Sequence, residues 1–522
     1  MQHDPVASEQ RRCAIEGVRV ASGLLTADEL EDGAAVVGAR SLDRFPPLIS
    51  DLSLTDAAGT LAEHAAALMA AGKSHWAETL TMSRSGSGPR PVIVLAPASR
   101  AIYTALVARL APALPEPSRG EGAWEAHTQF GLEGPHGYVV ELDIAACYEY
   151  LDHSILADEL LLRSMAPAVV AELAAVLRDV SSRGRGLPQM LSASDHLADA
   201  YLSILDRRLM RDGYDLHRFA DDTRITASTW EDANRVIERA AEHARDLGLI
   251  LASKKTRPYK RETLVERKAA EEAFFDKYYR EARKSLTQTL FIMSDPYGDI
   301  EQMLLGADVL ESRQVASRKV VEDWATSVQA QDSEDHVDVN LRNFQSRAVS
   351  ALVRATQRLE DETLLDLVFY DPQRLQSVST YLRRRALSET FSDEHHWRTV
   401  GKLIGGSRES AWTSLWLLNI VQALPESVEP EYGAVMTWVE ERLSDRHEVV
   451  RCQAAWVMAS RQALPKDAIA DLYRRSTPLT QNGLAAAVAK QADSPVKVRG
   501  AVVDDSPLNK AAAQWVEQQA SS

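Results

Sequence analysis

The sequence predicts an α+β first half, residues 1–285, followed by an all-α second half, residues 286–522. Three observations predict this division. Short apolar and β-branched runs such as "PVIVLAP" (91–97), "GYVVELDI" (137–144) and "LHRFADDTRITA" (216–227) stand among helical patterns in the first half. In the second half glycine is scarce, apolar spacing is helical, and breaks fall at loops such as "GGSRES" (405–410) and "ALPES" (423–427). The third is a repeat: "SLWLLNIVQALP" and "AAWVMASRQALP" align Trp416 with Trp456 at an offset of 40 residues.

At 522 residues the chain is too long for one typical core, and at roughly 100–200 residues per domain two to four units are expected. No run of about 18 apolar residues occurs, so no membrane span or membrane partner is expected. The polar opening "MQHDPVASEQRRC" lacks the charged-then-apolar layout of a secretory signal, and a cytoplasmic location is expected. Cys13, Cys147 and Cys452 are far apart and form no CxxC pair, which argues against a disulfide framework or a cysteine zinc site. The net charge of -16 argues against a uniformly basic nucleic-acid coat. Residues 254–284 differ, with 11 basic side chains against 6 acidic ones. That run reads either as a solvated helix face with i,i+4 ion pairs or as a flank contacting phosphates.

Two of the β-rich runs carry carboxylates at strand ends. "YVVELDI" places Asp143 at the end of a strand, and "LHRFADDTRI" reads as two strands joined at a turn that carries Asp221 and Asp222. Adjacent like charges disfavour each other's ionised form, so water or a cation must offset the pair. Carboxylates converging from two strand ends make the oxygen-rich setting that Mg²⁺ prefers. Between these runs, "GLPQ" makes a turn and Ser192 and Ser194 open an amphipathic helix; after them comes "LGLILASKKT" with Lys255. In the second half, a period of about 40 residues is that of helix pairs of the HEAT or armadillo kind, which stack because one pair cannot bury its apolar face alone.

Taken in order, these segments resemble palm motifs A to D of the reverse transcriptases: Asp143, then "GLPQ" with Ser192 and Ser194, then "FADD", then "LGLILASKKT". Upstream, "PRPVIVLAPASRAIYTALV" (89–107) is similar to the fingers motifs of the intron-type and bacterial branches. The resemblance covers roughly residues 80 to 260, and Met190 departs from it where the family commonly carries Gly. With the helical-repeat (HEAT-like) second half, the whole is most like the abortive-infection (Abi) and related defence-associated reverse transcriptases.

The resemblance implies a fingers-palm domain and an RNA-directed DNA polymerase that transfers nucleotides from dNTPs by a two-metal Mg²⁺ mechanism in antiphage defence. Asp143, Asp221 and Asp222 are the expected catalytic residues, and Asp143, Ile144, Asp221 and Asp222 the metal-binding ones. Arg90 and Arg100 are the expected triphosphate clamps, Gln189 lies against the nucleotide or its templating partner, and Lys255 lies near the pyrophosphate. Tyr148, five residues after Asp143, would exclude a ribose 2′-OH by its bulk, which selects dNTPs. Expected partners are dNTPs, a DNA product, an RNA template or noncoding RNA, and further copies of the chain. Two alternatives stay open: template-independent, protein-primed DNA synthesis at the same site, and a helical-repeat binding scaffold with an inactive palm.

Overall fold

The computed structural model describes residues 23–39, 42–84, 88–181, 183–292, 309–331, 337–391 and 394–521; Cys13 and the polar opening stretch lie outside them. The described chain opens with three helices, α1 (Ala27–Ala39), the single turn α2 (Ile49–Leu52) and α3 (Ala58–Ala70). Strands β1 (Ala77–Met82) and β2 (Arg90–Leu95) pair antiparallel as a separate two-stranded sheet. Helix α4 (Pro97–Leu110) follows at once, with Pro97 in the first turn, where a missing N–H costs nothing.

After α5 (Ala123–Gln129) comes β3 (Tyr138–Leu142), one of the two inner strands of the second sheet. The chain then leaves the sheet through α6 (Cys147–Tyr150), α7 (His153–Ser164), α8 (Pro167–Val180) and α9 (Ser192–Arg211). It returns as the hairpin β4 (Leu216–Phe219) and β5 (Asp222–Ala227), and α10 (Trp230–Asp246) leads on to β6 (Arg257–Lys260). The strands lie in the order β4-β5-β3-β6 with every neighbour antiparallel. Local chemistry sets the helix starts: the Asp152 side chain caps α7, and the Thr229 side chain caps α10. Helix α10 packs across β3 and β5, so one face of the sheet is dry.

Beyond β6 the described residues form helices, short 3-10 turns and loops. Helix α11 (Arg261–Ile292) runs through residue 285 without a break. There follow α12 (Val309–Gln331), α13 (Val339–Ala351), α14 (Asp361–Tyr370), α15 (Leu375–Ala386), α16 (His396–Gly406) and α17 (Ala411–Ala423). The chain finishes with α18 (Glu431–Glu441), α19 (Glu448–Ser460), α20 (Ala468–Arg474), α21 (Gln481–Lys490), α22 (Val496–Val503) and α23 (Pro507–Ser521). Odd-numbered helices from α13 to α23 pack side by side in one layer, and α12, α14, α16 and α18 do so in another. Trp416 on α17 and Trp456 on α19 therefore sit on neighbouring members of the same layer.

The two cores divide the molecule differently from the sequence. One core joins the palm sheet to α1, α3, α4 and α7 to α10. The other fills the helical layers, and it also takes Leu80, Met82, Val92 and Val94 from the β1–β2 hairpin. A lone hairpin is marginal in water, so these strands depend on the second half for a lining. Polar contacts fasten the join. The Glu78 carboxylate accepts from the backbone N–H groups of Glu448 (3.0 Å) and Val449 (3.2 Å) and lies 3.1 Å from His447 Nδ1, capping α19 from 370 residues away. The indole N–H groups of Trp412 and Trp416 both donate to the Arg44 carbonyl, at 2.7 and 3.2 Å.

Candidate active site

The register of the second sheet brings the acidic residues together. Leu142 pairs with Thr223, so one step further along the same ladder Asp143 comes across from Asp222. Phe219 pairs with Asp222, which leaves Ala220 and Asp221 as a two-residue hairpin turn. Ala220 takes φ 57°, the positive φ that lets such a turn match the twist of its strands. The turn is pinned from outside the sheet. The Ala220 N–H donates to Ser118 Oγ at 2.9 Å, and the Ala220 carbonyl accepts from Arg218 at 2.9 Å. Asp199 on α9 binds both anchors: it accepts from the backbone N–H and hydroxyl of Ser118 and from Arg218 at 2.5 Å. Asp206 takes the other side of the Arg218 guanidinium at 2.9 Å. This buried network fixes where Asp221 projects.

Asp143 is buried and Asp222 is half-buried. Burial, and then the charges of Asp221 and Asp143, push the Asp222 carboxyl up to about 6, with Lys255 acting in the opposite direction. The segment with Lys255 runs beside Asp143: Ala145 N–H donates to the Ile250 carbonyl, Ala252 N–H donates to the Asp143 carbonyl, and Ile144 bridges Leu251. It delivers the Lys255 ammonium to within 2.8 Å of Asp143 Oδ1. With Lys255 paired to Asp143, no three His, Cys, Asp or Glu side chains among the described residues, the three aspartates included, are gathered into a metal-binding group.

Arg90, the first residue of β2, is half-buried and within electrostatic reach of Asp221 and Glu149. Burial and the nearby Arg84 and Arg44 hold its guanidinium below its usual range. Arg100 is not brought to the aspartates. It lies buried on α4 in an ion pair with Asp51, facing the join with the helical layers. Gln189 is buried, and its amide donates to the Pro91 carbonyl at 3.1 Å, tying the loop before α9 to β2.

That loop takes positive φ at three residues, Gly184, Gly186 and Met190. Gly186 has φ +93°, and a Cβ there would stand 3.3 Å from the Glu149 carbonyl oxygen and 3.5 Å from that of Tyr148. Met190 has φ 67°, holding with a long side chain a conformation that glycine adopts freely. Tyr148 on α6 accepts from Leu187 N–H through its carbonyl at 2.8 Å, so the loop and the ring's backbone are one unit. Its hydroxyl donates to Asp195 at 2.5 Å and accepts from Arg119 at 2.9 Å. Part of the basic run 254–284 is used within the chain: Arg267 pairs with Glu141 at 2.7 Å, and Lys268 with Glu125 at 3.2 Å.

Sequence reasoning missed Ser118, Arg119, Asp195, Asp199 and Arg218. Only Arg218 carried a signal, as a charge within a strand that otherwise reads as apolar beside the aspartates.

Residues 83–269 match the family model described as reverse transcriptase (RNA-dependent DNA polymerase). The chain therefore carries a reverse transcriptase domain, of the RNA-directed DNA polymerase and nucleotidyltransferase class, in a molecule that is otherwise mostly helical. No curated protein matches the chain. Among solved structures it is similar to telomerase from Candida albicans in complex with a fragment of telomeric RNA, at 12% identity and a TM-score of 0.25, covering 65% of this chain and 67% of that one. It is also similar to an engineered protein, at 15% identity and a TM-score of 0.25, covering 81% of this chain and 96% of that one. No helix among the described residues is long and apolar enough to cross a membrane.

Proposed function

We propose that the chain is a DNA polymerase of reverse-transcriptase type that joins dNTPs at Asp143, Asp221 and Asp222, and that it serves in antiphage defence. The observation that carries the catalytic part is the strand register that sets Asp143 across from Asp222 beside the Asp221 turn, within the span matched by the family model. Three carboxylates, one of them with its proton affinity raised by burial and then by the other two, are a donor set of the kind a divalent cation neutralises, so their chemistry fits Mg²⁺. Once Lys255 leaves Asp143 and the three side chains draw together, Asp143, Asp221 and Asp222 would hold two ions, and Ile144 has only its main-chain carbonyl to offer. Bound Mg²⁺ supplies activation of the attacking hydroxyl and stabilisation of the leaving oxygen.

The chain's own groups do the rest. Arg90 grips the triphosphate from the β2 side. Lys255 leaves Asp143 for the pyrophosphate oxygens and gives up a proton there. The Tyr148 ring closes the space a ribose 2′-OH would need. Arg100 and Gln189 hold the fingers and the loop in place. The two-layered helices fit the HEAT-like reading, whose broad surface suits a nucleic acid, a protein partner or a second copy of the chain. The defence role rests on the resemblance of the domain arrangement to the abortive-infection enzymes.

Purified protein with Mg²⁺ and each labelled dNTP tests the reading, followed by denaturing electrophoresis with and without proteinase and nuclease. Incorporation by wild type that is lost in Asp221→Ala/Asp222→Ala supports it, and undiminished incorporation by that variant sinks it. Product of mixed sequence that survives RNA removal and shifts on proteolysis would mark untemplated, protein-primed synthesis. Phage protection retained by the aspartate variant would move the function to the helices.

A further inference from the structure

We propose that Asp195 and Arg119 are positioning residues that lock the Tyr148 ring as a sugar gate, and thereby set the preference for deoxynucleotides over ribonucleotides. The inference rests on the polymerase reading above. Three polar groups from separate parts of the chain close a ring: Tyr148 Oη donates to Asp195 Oδ1 at 2.5 Å, Arg119 Nη2 donates to the same hydroxyl at 2.9 Å, and Arg119 Nη1 donates to Asp195 Oδ1 at 2.6 Å. Asp195 lies in the first turn of α9, where the helix dipole favours a carboxylate. Arg119 comes from the segment that also supplies Ser118 to the aspartate turn, and its charge lies within reach of Asp221. Burial, then the neighbouring Asp195, pushes the Tyr148 hydroxyl far up, in keeping with its role as the donor to Asp195.

The geometry matters because of how weakly shape alone rejects one added hydroxyl. A pocket that excludes by bulk discriminates by only about 10²-fold. A ring free to swing by about an ångström would lose much of that, since sites of this kind need placement to within roughly 0.5 Å. The backbone of Tyr148 is already fixed by Leu187, and the hydroxyl is the one handle left on the far end of the ring. Asp195 and Arg119 hold that handle.

The test uses the full chain with Mg²⁺ and compares kcat/KM for a dNTP with that for the matching rNTP. Asp195→Ala is expected to lower the dNTP-over-rNTP ratio by about tenfold. Asp195→Asn keeps an acceptor and restores most of the ratio. Tyr148→Phe removes only the hydroxyl and shows the same fall even if Asp195→Ala does not fold. Combining Tyr148→Phe with Asp195→Ala adds little, because both release the same ring. An unchanged ratio in incorporating Asp195→Ala or Tyr148→Phe protein overturns the inference and leaves the polymerase reading standing. Absence of incorporation by wild type overturns both.

Discussion

Lys255 places its ammonium 2.8 Å from Asp143 Oδ1, so a residue 112 positions downstream neutralises the first of the three aspartates. A cation binding at Asp143 has to displace it. Lys255→Gln is therefore expected to enlarge the rise in Tm that Mg²⁺ produces, by the worth of one half-exposed ion pair, up to about 1 kcal/mol. Thermal denaturation with and without Mg²⁺ measures this; equal shifts in the two proteins would show that Lys255 and the ion do not compete.

Met190 holds φ 67° at a position where the resembled motif carries glycine. Met190→Gly and Met190→Ala both lose the side chain's packing, but only glycine is at ease in that conformation. The Gly variant is expected to be more stable than the Ala variant by roughly 1–2 kcal/mol in urea denaturation. The reverse order would mean that the loop relaxes when the side chain is removed.

Glu78 caps α19 across the join between the halves. Glu78→Ala orphans two backbone N–H groups and is expected to cost about 1–2 kcal/mol. Because Arg90 sits on the partner strand β2, the same variant should raise KM for the dNTP more than it lowers kcat. Urea denaturation and steady-state kinetics check the two parts separately.

His127 lies buried among Trp124, His217 and Phe219, with Arg224 donating to its carbonyl and Glu141 nearby. Burial, then Arg224 and His217, lowers its pKa to about 4. The unfolded chain takes up this proton near pH 6.5, well before the folded one, so below that pH the unfolded state binds more protons. Stability from this residue is complete above about pH 6.5 and drains away as pH falls towards 4. A His127→Phe variant should show a flatter fall of Tm between those values, and an unchanged slope would place the acid sensitivity elsewhere.

What could be read from the sequence was local. Alternation in "GYVVELDI" and "LHRFADDTRI" gave β3, β4 and β5 nearly to the residue, and Ser192 does begin α9. Partnerships were not legible, because they join residues that are distant along the chain. Nothing beside Arg100 announces Asp51 as its partner, and nothing beside Gln189 announces the Pro91 carbonyl. Tyr148 and Asp195 are 47 residues apart, and Glu78 and Glu448 are 370 apart. Hydrophobic spacing likewise identified β2 as a strand, but it missed β1 and could not say which core would receive the pair.

Leu80, Met82, Val92 and Val94 are lined by helices that the ribosome completes hundreds of residues later. During synthesis these strands must wait, exposed, until α17 has emerged to cover β1. The same dependence links the two halves side chain by side chain. A foreign second half would give the hairpin a different lining, so a change of side-chain volume in β1 has to be answered in α17.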